Sequence, residues 1–124
     1  ADVLTSEQVK TMAKNPIIFA LANPKPEIDP QVAKDADAAV MATGSSQYPN
    51  QVNNILVFPG LYKGLLSADL NKVDFGLEKA IASALANMIS NPTAEKIVPG
   101  VFDDGVVNTV AKAVQHYASQ KNND

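Results

Sequence analysis

The sequence predicts an α/β chain: a few short strands of a parallel sheet, flanked by helices, with a helix-rich C-terminal half. Residues 17–22 (IIFALA) form an apolar run without alternation, and residues 38–42 (AAVMA) form a second. Unbroken runs of this kind are the pattern of strands covered on both faces, as inside a parallel sheet. From residue 52 onward, apolar residues recur at intervals of three and four, the period of helices that bury one face.

In chain order, Thr5 and Gln8 have the spacing of a capping box, so a short helix starts there with Val9, Met12 and Ala13 on one face. Asn15-Pro16 ends it, because the residue before proline is pushed out of the helical region. The strand at 17–22 follows, stopped by Asn23-Pro24-Lys25-Pro26. Asp29-Pro30 reads as an N-cap with proline at the first helical position, opening a helix through Lys34. The second strand, 38–42, ends at Thr43-Gly44-Ser45-Ser46, and residues 47–51 link it to the helices. Ile55, Leu56, Phe58, Leu61, Leu65 and Leu66 form the first helical pattern, which Pro59-Gly60 must bend or split. Residues 74–90 form the clearest helix, with Leu77, Ile81, Ala84, Leu85 and Met88 on its buried face. Asn91-Pro92 closes it. After an irregular stretch at 97–102, Asp103 or Asp104 caps a last helix with Val106, Val107, Val110, Ala111, Val114 and Tyr117 on its apolar side. The tail, 121–124, is polar and expected to fray.

Two buried strands joined through a helix make one parallel pair, and such a pair needs neighbouring strands and a helix layer on each face. The chain therefore reads as part of a larger sheet, with open edges that predict weak stability or self-association in isolation. The absence of an initiator methionine suggests a processed product or a fragment.

The chain has 124 residues, a size suited to one domain, and shows no repeat or boundary signal. A net charge of -3 and a pI near 5.0, without any basic block, argue against nucleic acid and anionic membrane partners. No cysteine occurs, which removes disulfides, zinc–thiolate sites and cysteine nucleophiles. Neither a signal peptide nor an apolar stretch near the roughly 20 residues of a membrane span is visible, so a soluble cytoplasmic protein is expected. There is no G-x-G-x-x-G, no P-loop and no pair of acids at ligand spacing. His116, the one histidine, reads as a solvated surface residue.

Three groups stand where open α/β sheets bind ligands, beyond the C-terminal ends of strands. Asn23 could offer a carboxamide to a carboxylate, or could simply shape a turn. Thr43, Gly44, Ser45 and Ser46 share that rim; Gly44 would permit a close approach or a positive φ, or mark a turn. Asn53 and Asn54 lie in the first turn of a helix and suit either an anion or a cap. Gly60 and Gly64 read as a close helix contact or a break.

Residues 15–27 (NPIIFALANPKPE) and 42–60 (ATGSSQYPNQVNNILVFPG), in this order and spacing, resemble the bacterial malic enzymes, with the malolactic enzymes a close second. The likeness continues through Ile97-Val98-Pro99 and Phe102-Asp103 to the last helix. It implies that residues 1–124 are the C-terminal portion of a Rossmann-like, doubly wound NAD(P)-binding domain. The family oxidises L-malate to pyruvate and carbon dioxide, reduces NAD or NADP, and requires Mg²⁺ or Mn²⁺. By resemblance, Asn23, Asn53 and Asn54 contact substrate, with Asn54 favoured of the last two. Asn23, Thr43, Gly44, Ser45 and Asn54 contact cofactor. The family's tyrosine–lysine acid/base pair, acidic metal ligands and glycine-rich loop match nothing here, so no catalytic or metal residue is assigned to this chain. Its partners would be the remainder of the enzyme and a second subunit of a homodimer. Alone it should not oxidise malate. The alternatives are a malolactic-type fragment, or a stand-alone module that binds a nucleotide or a partner without catalysis.

Overall fold

A computed structural model describes residues 2–122. The chain divides into two compact units, Ala1–Val52 with Asn91–Ile97, and Asn53–Ser90 with Val98–Asp124. No punctuation in the sequence marks this division; it follows from two separate apolar cores, one in each unit.

In the first unit, α1 (Ser6–Lys10) opens with the expected capping box: the Thr5 amide donates to Gln8 Oε1 at 2.8 Å and the Gln8 amide to Thr5 Oγ1 at 3.3 Å. The helix stops well before Asn15-Pro16, because Thr11 turns its hydroxyl onto the Gln8 carbonyl at 2.7 Å. Val9 is buried as expected, whereas Met12 and Ala13 fall beyond the helix end and are exposed. Asp29 caps α2 (Pro30–Asp35) by accepting from the Gln31 amide at 2.8 Å. Strands β1 (Ile17–Ala20) and β2 (Val40–Thr43) pair in parallel, Ile17 opposite Val40 and Ala20 opposite Thr43.

The expectation that both sheet faces are covered is corrected. Ile18, Ala20 and Met41 pack with Val9, Ile28, Ala33 and Ala36, so α1 and α2 both serve one face. On the other face Ile17 is 66% exposed and Phe19 49%, because no described element of this unit lies over them. β1 consequently alternates between exposed and buried residues.

The second unit begins with a single 3₁₀ turn, Asn54–Leu56, followed by α3 (Phe58–Ser67), α4 (Phe75–Asn87) and α5 (Val106–Lys121). The expected break at Pro59-Gly60 lies instead at Val57. Pro59 occupies the first turn of α3, where its missing N–H leaves nothing unsatisfied. Leu61, Leu77, Ile81, Val110 and Val114 anchor the core between the helices. Gly60 and Gly64 let α3 approach α5 closely: a Cβ on Gly64 would stand 2.5 Å from Val114 Cβ, and one on Gly60 2.6 Å from Val110 Cβ. The small-xxx-small spacing thus marks helix packing.

Asp74 caps α4 by accepting from the Leu77 amide at 3.0 Å. Its carboxylate also accepts from Tyr117 Oη at 2.6 Å and pairs with the Lys121 ammonium, tying the start of α4 to the last turns of α5. Gly76 makes room for this clasp, since a Cβ there would meet Tyr117 Oη at 2.6 Å. The Lys121 and Tyr117 hydrogen bonds, with that from Leu77, hold the Asp74 carboxyl well below the usual carboxylate range. Neither Asp103 nor Asp104 caps α5, contrary to expectation. Asp103 Oδ2 instead accepts from the Gly100 amide at 2.8 Å, and α5 starts after Gly105, whose φ of 86 needs a residue without a side chain. Of the tail expected to fray, Lys121 ends α5 and Asn122 caps it, while residues 123–124 lie outside the described residues. His116 is exposed, as expected. No helix among the described residues is long and apolar enough to cross a membrane.

Gly64→Val should lower stability by about 1–3 kcal/mol in urea unfolding, the usual effect of forcing extra volume into a packed contact. A variant as stable as the parent would contradict the close α3–α5 approach. The pH dependence follows from Asp74, whose folded pKa is depressed below an unfolded value near 3.8. The stability it supplies is therefore complete above about pH 4 and is lost as pH falls toward the folded value. Between neutral pH and strong acid, the parent should lose more unfolding free energy than Asp74→Asn; equal losses would mean the clasp is inert.

Candidate functional site at the strand ends

Parallel pairing puts the C-terminal ends of β1 and β2 at the same edge, and the sequence makes a turn at each. After β1, the Ala22 amide has no strand partner and donates to Glu27 Oε2 at 3.0 Å. That hydrogen bond from Ala22 holds the Glu27 carboxyl below its ordinary range. Asn23 comes next, followed by a cis bond to Pro24. Its side chain is exposed and makes no hydrogen bond among the described residues.

After β2, Thr43 is buried, and its hydroxyl accepts from the Ser45 amide at 3.1 Å, closing a tight turn around Gly44. Gly44 has no positive φ, so of the two uses expected for it only close approach remains. The neighbour is Asn23: a Cβ on Gly44 would stand 3.4 Å from Asn23 Nδ2 and 3.5 Å from Oδ1. A hollow of about 310 Å³ opens between the two turns, lined by Pro24, Lys25, Pro26, Ser45, Gln47 and Tyr48 together with Asp2 and Asp29.

The structure therefore brings together Asn23, Thr43, Gly44 and Ser45 within the first unit, while Asn53 and Asn54 belong to the second. Asn53 Oδ1 accepts from the Ile55 amide at 3.1 Å, capping the 3₁₀ turn. Asn54, also exposed, keeps its carboxamide free of hydrogen bonds among the described residues. Of the two adjacent asparagines, Asn53 alone serves as a cap among the described residues. No three acidic, histidine or cysteine side chains converge among the described residues to hold a metal ion.

Two residues important to the rim went unread. Glu27 secures the end of β1, and Asn50, inside the stretch taken as a linker, is buried and hydrogen-bonded. Asn50 carried one usable signal, an asparagine after proline at a turn, but nothing local shows which chain segments its side chain reaches.

Two parallel strands joined through a helix and ending in polar turns at one end of the sheet define a portion of an open α/β fold. The comparisons with known proteins narrow the class. The family model described as "Malic enzyme, NAD binding domain" matches residues 1–119, and the chain belongs to that family. It is 44% identical to the bifunctional malic/malolactic enzyme of Bacillus subtilis over 122 residues, which is 97% of this chain and 30% of that protein. With the NAD-dependent malic enzyme of Geobacillus stearothermophilus it shares 44% over 114 residues, 90% of this chain and 24% of the relative. Among solved structures it superposes on the malic enzyme from Pyrococcus horikoshii with a TM-score of 0.92 at 38% identity, covering 97% of this chain and 28% of that one. The chain thus spans less than a third of the length of these relatives.

Proposed function

We propose that this chain acts as the C-terminal part of the NAD(P)-binding domain of a malic enzyme, an oxidoreductase that converts L-malate to pyruvate and carbon dioxide. The bound dinucleotide supplies the acceptor for the hydride leaving C2 of the hydroxy acid. What the residues of this chain do is hold and orient. Asn23 offers both halves of its carboxamide, Nδ2–H to a substrate carboxylate and Oδ1 to an N–H or O–H donor. Gly44 and Ser45 present backbone and hydroxyl along the cofactor, and Thr43 holds the Ser45 amide in place. Asn54 supplies the second free carboxamide, while Asn53 is engaged as a cap. The observation that carries this reading is the unpaired Asn23 side chain lying against Gly44 at the ends of two parallel strands.

The residues present fit a ligand rich in amide and carboxylate groups. They do not fit a metal ion, because the described residues offer no convergent donor set. Proton transfer and metal binding would fall to the remainder of the enzyme, whose subunits are proposed to pair as a homodimer in the cytoplasm. A second reading, a malolactic outcome that ends in lactate, draws its support from the likeness to the bifunctional malic/malolactic enzyme of Bacillus subtilis, which is matched by an equal 44% identity to the NAD-dependent malic enzyme of Geobacillus stearothermophilus.

In the full-length enzyme, Asn23→Ala and Asn54→Ala should each lower kcat/KM for malate by about 10²-fold, the scale of losing one well-placed donor in an active site. Asn53→Ala should cost far less in kcat/KM and act mainly on thermal stability. Steady-state kinetics of the three variants decides it: equal, small effects at all three positions would remove the assignment.

A further inference from the structure

Thr43 and Asn50 are the two buried polar residues among those described. Thr43 is satisfied within its own turn, but Asn50 reaches two other stretches of chain, β2 and residues 94–97. Its Nδ2 donates to the Met41 carbonyl of β2 at 2.9 Å and to the Ala94 carbonyl at 2.8 Å, and its Oδ1 accepts from the Ile97 amide at 2.9 Å. The backbone adopts a φ of 57, in the left-handed region that asparagine tolerates better than most residues. Its own carbonyl accepts from the Thr43 amide at 3.4 Å, and two residues later the Val52 amide donates to the Thr43 carbonyl at 2.8 Å. Asn50 therefore closes the base of the loop 44–49, which carries Gly44 and Ser45.

We propose that Asn50 is a positioning residue for dinucleotide binding: its buried carboxamide fixes the loop that presents Gly44 and Ser45 to the cofactor. This rests on the reading that the rim contacts NAD or NADP. Both Asn50 donors end on carbonyl oxygens, so the side chain must be an amide. Aspartate has nearly the same shape but would place an acceptor against two acceptors. The loop would then lose its tie to residues 94–97 and keep the Val52 amide on the Thr43 carbonyl at 2.8 Å and the Gln51 Nε2 contact to the Gly44 carbonyl at 3.4 Å.

Two variants of the full-length enzyme test this, Asn50→Asp, which keeps the shape, and Asn50→Gly, which keeps the positive φ. In at least one of them KM for the dinucleotide should rise about tenfold with kcat at saturation changed less than about threefold, the signature of lost binding rather than lost chemistry. The dinucleotide Kd from direct titration should rise in parallel. A folded variant with a lower Tm but unchanged dinucleotide KM and Kd would overturn the proposal, as would failure of both variants to fold. If the unmodified enzyme shows no malate-dependent reduction of NAD or NADP, the functional reading fails, and the dinucleotide Kd then reads the role of Asn50 alone.

Discussion

The parallel register of β1 and β2 is the constraint on which the candidate site depends. With Ile17 opposite Val40 and Ala20 opposite Thr43, both strands end at one edge, and the residues that follow each strand become neighbours. Asn23 and Gly44 are 21 positions apart in sequence, yet a side-chain atom on one would touch the other. An antiparallel pairing would have sent the two turns to opposite ends of the sheet. The helix between the strands is what permits the parallel arrangement, because such a crossover cannot be made by a tight turn.

Different kinds of interaction hold the rim and its surroundings. The exposed Lys34–Glu95 ion pair, at 2.7 Å, belongs to a class that contributes about 0–1 kcal/mol. The buried Asn50 carboxamide is of another order, since leaving one buried polar partner unsatisfied costs about 1–3 kcal/mol. Both reach residues 94–97, so Asn50 rather than the ion pair decides where that segment lies. In the second unit the burden falls on apolar contact: fully burying a side chain such as Leu77 or Val110 contributes about 1.5–3 kcal/mol, and glycines bring α3 and α5 into reach.

Local chemistry was legible in the sequence and long-range chemistry was not. The Thr5–Gln8 capping box and the Asp29-Pro30 start each involve residues within one helical turn, so their spacing alone identifies them. The apolar runs at 17–22 and 38–42 located both strands and, with the turns after them, the rim residues Asn23 and Thr43–Ser45. Asn50 escaped notice because its partners at 94 and 97 lie more than forty residues away. The same separation hid the contacts of Tyr117 and Lys121 with Asp74, although Tyr117 itself was expected on the apolar side of the last helix. Cover on both sheet faces was inferred from the lack of alternation, and the exposed Ile17 and Phe19 show that an apolar run states what a strand can bury, not what this chain supplies to bury it.

The most direct test is a crystal structure of the full-length enzyme with the dinucleotide and a non-reactive dicarboxylate analogue of malate bound together. The account predicts the Asn23 carboxamide within about 3 Å of a ligand oxygen or nitrogen, with the cofactor running along Gly44 and Ser45. Ligands seated elsewhere, with Asn23 and the turn after β2 left in solvent, would contradict it.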